Sequence, residues 1–181
     1  MAMNINIRTL NAPVSRRDHS RGPVGAAVTL VEYGDYQCPA AGGAYPIVKQ
    51  LQRELGSRLR FVFRNFPQRD IHPHAQRAAE AAEAASVQGR FWEMHDILFE
   101  HQHALTDRHL RSYAAALGLD SLRFDCELVA CVHGKRVREH VLAGVGSGVT
   151  STPTFFINGV CYEGAWDLPA LMHALEPAIA A

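Results

Sequence analysis

Between Val28 and Pro39 the chain passes from a short apolar, β-branched run, Val28-Thr-Leu-Val-Glu-Tyr33, through Gly34-Asp35 to a cysteine placed directly before a proline. Such a run reads as a central strand. A proline with its fixed φ fits the first turn of a helix, so Cys38 stands where a helix leaves a buried strand. Ile47, Val48, Leu51 and Leu55 give that helix an apolar stripe, Gly56 supplies its stop, and Pro46 is expected to kink it. Leu59-Arg-Phe-Val-Phe-Arg64 alternates as a second strand with one more polar face, and Asn65-Phe-Pro67 closes it. This completes a β-α-β unit, with residues 1–26 read as an N-terminal tail.

From His72 to about Gly148 the apolar period becomes helical. Ala75, Ala78, Ala79, Ala82 and Ala85 share one face, and Phe91, Met94 and Leu98 form another after a break at Gly89. Thr106 is placed as an N-cap with Leu105 and Leu110 as a hydrophobic staple, and Gly118 ends that helix. Leu119, Asp120 and Phe124 repeat the pattern, and Gly134 is placed to split the last long helix of the block. Strands then return. Pro153 to Ile157 leads through an Asn158-Gly159 turn, of the kind that favours two-residue hairpins, into Val160-Cys-Tyr162. Asp167 is expected to cap a final helix carrying Leu168, Leu171 and Leu175.

Eighteen basic residues balance eighteen acidic ones without a long run of either sign, which argues against a nucleic-acid face or an anionic membrane surface. The first residues lack the apolar core of a secretion signal, and no stretch approaches a membrane span, so the expected location is cytoplasmic. That setting keeps thiols reduced, and no structural disulfide is expected among Cys38, Cys126, Cys131 and Cys161. The last three read as small buried hydrophobes, with Cys126 and Cys131 on different sides of one helix.

The order strand, Cys-Pro helix, strand, helical block, Thr-Pro hairpin, helix resembles the DsbA-like branch of the thioredoxin fold. Val28–Pro46, Phe63–Gly89, Phe91–Gln102 and Gly148–Val160 are similar to cytoplasmic bacterial members of that family. The resemblance implies an α/β thioredoxin-like domain over 27–67 and 149–181, with an all-helical insertion over 68–148. It also implies a cis bond before Pro153 and a Thr152-Pro153 loop lying against the catalytic sulfur, where extended substrate can pair. The departure is Ala41, in the position where the family carries its second cysteine.

A thiol at a helix N-terminus faces unpaired N–H groups and the positive end of the macrodipole, which favours the reactive thiolate. With one thiol and no resolving partner, Cys38 is expected to form a mixed disulfide that an outside thiol must release. The expected activity is monothiol exchange on a disulfide-containing or glutathionylated protein or peptide. Glutathione is the expected co-substrate, and no cofactor is tightly bound. Two alternatives stand beside it: a glutathione-dependent transferase or isomerase like the kappa-class relatives, and a peptide-binding module without turnover.

Glu32 shares strand parity with Val28 and Leu30 and should point inward, where burial raises a carboxyl pKa. It resembles the buried acid of the family. Thr152, Pro153, Pro39 and Tyr36 are assigned to the substrate groove, while Asp35 and Gln37 either tune the thiol or shape that groove. His72-Pro-His74 and His101-Gln-His103 lack metal-ligand spacing, so no metal site is expected. His72, His74 and His95 are expected to cap, pack or bond across the helical block.

Overall fold

A computed structural model describes residues 7–180. β2 (Val28–Gly34), α1 (Pro39–Leu55) and β3 (Leu59–Asn65) form the β-α-β unit, with β2 and β3 parallel. After the insertion come β4 (Thr154–Ile157), β5 (Val160–Tyr162) and the terminal helix. β4 pairs antiparallel with β2, and β5 with β4. Asn158 and Gly159 both take positive φ, 47° and 86°, as a tight two-residue turn requires. α1 runs on through Pro46 and ends at Gly56, whose φ of 52° is open to glycine.

The N-terminal stretch is more than a tail. His19–Arg21 forms a strand, β1, antiparallel to β3, which makes a five-stranded sheet of order β1-β3-β2-β4-β5. At the opposite edge Cys161 donates its N–H to Arg8 and Leu10 donates to Gly159, both at 2.9 Å. The segment therefore crosses the sheet from β5 to β1 as a strap. Local alternation does not mark it because its order comes from partners distant in sequence.

Strand parity divides the core. Val28, Leu30, Phe61 and Phe63 face α1 and the helical block, whereas Val31, Tyr33, Val62 and Phe156 form a second cluster against Leu10, Val14 and Val141. The face of β3 expected to be polar is thus buried. Arg64, with its side chain 3% exposed, spends its donors on Asp18, the Tyr33 hydroxyl and the carbonyls of Ala12 and Pro13. Burial acts against the ionised Asp18 carboxylate, yet Arg64 and the Ser15 N–H outweigh it and hold its pKa below the ordinary value.

The insertion holds α2 (Ala75–Ser86), α3 (Phe91–Glu100), α4 (Asp107–Ala116), α5 (Ser121–Val129) and α6 (Gly134–Gly146). The alanine face of α2 is buried, and this lets neighbouring helices approach closely. Thr106 is the N-cap residue of α4, but its hydroxyl pairs with His109 Nδ1 at 2.9 Å and not with a backbone N–H. Asp120 caps α5 through Arg123 N, and Asp167 caps the terminal helix, α7 (Leu168–Ala180), through Ala170 N. Cys126 and Cys131 are exposed, not buried. Phe124 and Leu128 take the inward positions of α5, and Cys131 lies beyond the helix in a turn at φ 51°.

Candidate active site

Cys38 is the N-cap residue of α1 and Pro39 occupies the first turn, because β2 delivers the chain at the carboxyl edge of the sheet. The thiol is 6% exposed, and its Sγ–H donates to the Thr152 carbonyl at 3.2 Å. The Thr152-Pro153 peptide is cis. Thr152 is buried and its hydroxyl donates to Gln68 Oε1 at 3.2 Å, while Pro153 is half-buried and Pro39 exposed. Four residues assigned to the site from sequence, Cys38, Pro39, Thr152 and Pro153, therefore converge. Ala41, one turn into α1, is fully buried in the core.

Tyr36 requires a correction. It is 1% exposed and packs between Phe63 and Phe99, with its hydroxyl against His95 Nδ1 at 3.1 Å, so its side chain is not a groove wall. The chain turns inward there because an aromatic pocket of α3 receives the ring. Burial first, then the cations Arg21 and Lys49 and nearby His19, holds the His95 pKa well below the usual value. The ring is neutral.

Tyr36 belongs to a clasp. Asp35 accepts from Gln37 N, Gln68 N and His72 Nδ1 at 2.8 to 2.9 Å, and Gln37 Oε1 accepts from His74 N at 2.7 Å. From the end of α3, Gln102 Nε2 donates to the carbonyls of both Tyr36 and Cys38 at 2.9 Å. Each residue of 35–38 is thereby pinned by the helical insertion. Gln68 and Gln102 were not assigned from sequence, since an isolated amide carries no periodic or motif signal.

Gly42 is part of the same fit, because a Cβ there would lie 2.0 Å from Gln102 Oε1. Gln102→Ala is expected to lower unfolding free energy by about 1–3 kcal/mol, the cost of leaving the Tyr36 carbonyl without its donor while the Cys38 carbonyl keeps only the Gly42 N–H. Gly42→Ala should destabilise in the parent and be tolerated in the Gln102→Ala background. Urea titrations of the four proteins measure that coupling, and simple additivity would mean the two residues do not meet.

Glu32 points inward at 2% exposure, and its Oε1 has no hydrogen-bond partner. Burial pushes its pKa up to about 8, so it is protonated at neutral pH. With Lys49, His95 and Asp96 it borders a void of about 10 Å³. The folded carboxyl holds a proton that the unfolded one releases near pH 4.5, so its contribution is fully present below that pH and lost as pH rises through about 8. Glu32→Gln should remove this decline. The difference between parent and variant is expected to change by up to about 1.4 kcal/mol per pH unit inside that window, and a flat difference would show that Glu32 ionises normally.

All four cysteines are free. Cys131 lines an open cleft of about 1200 Å³ with Gln68, Arg69, Lys135 and Arg138, and Arg77 Nη1 donates to its sulfur at 3.3 Å. Cys161 sits half-buried in β5, where burial raises its pKa. Neither sulfur shares the Thr152 contact of Cys38. Among the described residues, no group of three or more His, Cys, Asp or Glu side chains is placed to hold a metal ion, and no helix is long and apolar enough to cross a membrane.

Fold and thiol geometry together define a DsbA-like protein of the thioredoxin fold. The chain superposes on oxidised BdbD from Bacillus subtilis with a TM-score of 0.82 at 22% identity, covering 91% of this chain and 94% of that one. A thioredoxin-like oxidoreductase from Silicibacter pomeroyi gives 0.77 at 24% identity, with 92% and 95% covered. The thioredoxin family model matches residues 15–177, and the chain belongs to that family. It is also 47% identical over 164 residues to a Na(+)/H(+) antiporter NhaA of Salinispora arenicola, an alignment that covers 91% of this chain and 25% of the antiporter. The chain thus spans about a quarter of the length of the curated relatives it matches.

Proposed function

We propose that the protein is a monothiol thiol-disulfide oxidoreductase acting through Cys38. The supporting observation is a single thiol at a helix start, facing the Thr152 carbonyl, with buried Ala41 in place of a resolving partner. After loss of its proton, the Cys38 sulfur attacks one sulfur of a disulfide or glutathionylated peptide. A new S–S bond forms to Cys38, the old one breaks, and the departing thiolate takes up a proton. With a glutathionylated substrate the mixed disulfide already carries glutathione, and one further glutathione releases it. With a disulfide substrate a first glutathione displaces the substrate thiol from Cys38 and a second frees Cys38. In both cases the substrate is reduced by two electrons and two glutathionyl sulfurs end as one disulfide. Glu32, protonated and unpartnered beneath the sheet edge, is the proposed proton store. This chemistry suits a reducing compartment such as the cytoplasm. Ion transport is not carried over from the antiporter relatives, because their match to this chain covers only a quarter of their length.

One observation favours a second reading, a peptide-binding module without turnover: only 6% of Cys38 is exposed and its S–H is engaged. The test separates the two. Because Cys126 and Cys131 are exposed, it uses a background with both replaced by serine. Under oxidised glutathione this protein should gain one glutathionyl mass, reversed by reduced glutathione and absent in Cys38→Ser. No adduct at Cys38, with disulfide peptides still bound, would establish the module.

A further inference from the structure

The open cleft that holds Cys131 bears on which polypeptides reach Cys38. It encloses about 1200 Å³ between the segment 66–71, which follows β3, and the first turns of α6. That exceeds the roughly 300–1,000 Å³ of an ordinary small-molecule pocket, so its size suits a length of polypeptide. Gln68 sets its position relative to the thiol. This side chain lines the cleft and accepts from Thr152 Oγ1 at 3.2 Å, while the Thr152 carbonyl accepts from Cys38 Sγ at 3.2 Å. Two residues, Gln68 and Thr152, therefore link cleft to thiol. For a chain held against Thr152-Pro153, the cleft is a continuation of the same surface.

Charge selects what enters. Arg69, Lys135 and Arg138 line the cleft, are exposed, and form no ion pair with a carboxylate among the described residues. Two acids share the wall. Glu80 is buried and already taken, accepting from Gln76 Nε2 at 2.7 Å and from Arg77 Nη1 at 3.3 Å, which leaves Asp70 alone to set against three cations. Ile71, 66% exposed, and half-buried Val141 add apolar surface among these charges. Three cations mixed with an acid and apolar side chains are a poor match for a polyanion such as nucleic acid. They match a peptide that carries a few carboxylates and an apolar residue.

We propose that this cleft selects substrates for Cys38 by binding an acidic segment next to the reactive disulfide, with Arg69, Lys135 and Arg138 receiving its carboxylates. The assignment rests on the exchange chemistry proposed for Cys38, and it makes these three residues determinants of specificity and not of bond making.

The probes are symmetrical disulfides of short one-cysteine peptides, alike except for glutamates or lysines flanking the cysteine. In protein with Cys126 and Cys131 replaced by serine, the acidic disulfide should load Cys38 about tenfold faster than the basic one, within the range of electrostatic steering. The gap should narrow toward 1 M salt, where the Debye length falls to about 3 Å. Lys135→Glu combined with Arg138→Glu should bring the ratio to one or below, and Arg69→Glu serves if that protein does not fold. Bis(2-hydroxyethyl) disulfide, small and neutral, separates the two readings. If it loads Cys38 while both peptides react at equal rates, the cleft assignment fails and the exchange chemistry stands. A second arm leaves Cys38 out. In protein with Cys38 and Cys126 replaced by serine, a cysteine-free acidic peptide should slow alkylation of the exposed Cys131, and its lysine counterpart should not. Unchanged alkylation would overturn the site. If no disulfide loads Cys38 at all, the exchange chemistry fails and this second arm decides the cleft by itself.

Discussion

Ala41→Cys is expected to close an internal disulfide with Cys38 and to let the protein release its own mixed disulfides. The new thiol would stand one helical turn from Cys38, inside the core position that Ala41 fills completely. In insulin reduction the parent should depend on added glutathione, because nothing one turn away can attack the Cys38 mixed disulfide. The prereduced variant should reduce one equivalent of insulin disulfide without glutathione, ending as its own internal disulfide. It should release the substrate thiol faster by a factor on the order of ten or more, with each tenfold equivalent to about 1.4 kcal/mol of barrier. A variant that forms the disulfide without this faster release would favour the binding-module reading. One that forms no disulfide would show that packing around Ala41 has no room for a sulfur.

A second large effect is expected at Arg64. Arg64→Ala strips the partner from the Asp18 carboxylate, 5% exposed, and from Tyr33 and two carbonyls in one step. Loss of one member of a buried pair costs about 3–5 kcal/mol, a large share of the roughly 5–15 kcal/mol that stabilises a typical domain. Arg64→Lys should recover only part, since an ammonium cannot reproduce the five-donor fork. Urea unfolding measures both, and a loss under about 1 kcal/mol for the alanine variant would mean that the strap is held by its backbone bonds alone.

The elements framing the thiol were legible because their signals are local. The run 28–33 became a strand ending at Gly34, and 59–64 one ending at Asn65, each a residue longer than expected. Asn158-Gly159 announced its turn by the backbone freedom of those two residues. β1 was not legible. His-Ser-Arg has no apolar alternation, and its order comes from pairing with β3 and from Glu83, 64 residues away, which His19 Nε2 meets at 3.0 Å. Tyr36 was misread for a related reason. A tyrosine beside a nucleophile suits a groove or a core equally well, and only the α3 aromatics decide between them. Cys126 and Cys131 were misread because cysteine has the composition of a core residue, and helix phase alone did not reveal which side α5 buries.

The clasp on residues 35–38 bears on how this fold can be trimmed or recombined. Cutting out 68–148 and joining the sheet halves would strand Asp35 Oδ2, the Tyr36 hydroxyl and carbonyl and the Gln37 side-chain oxygen, and would take one of two donors from the Cys38 carbonyl. A minimal thioredoxin-like core would therefore inherit the nucleophile without its scaffold. Exchanging the helical block for that of a distant relative would succeed only if the incoming block brought counterparts of His72, His95 and Gln102 in register. Sheet and insertion are in that sense a single inheritance unit, joined where the chemistry is done.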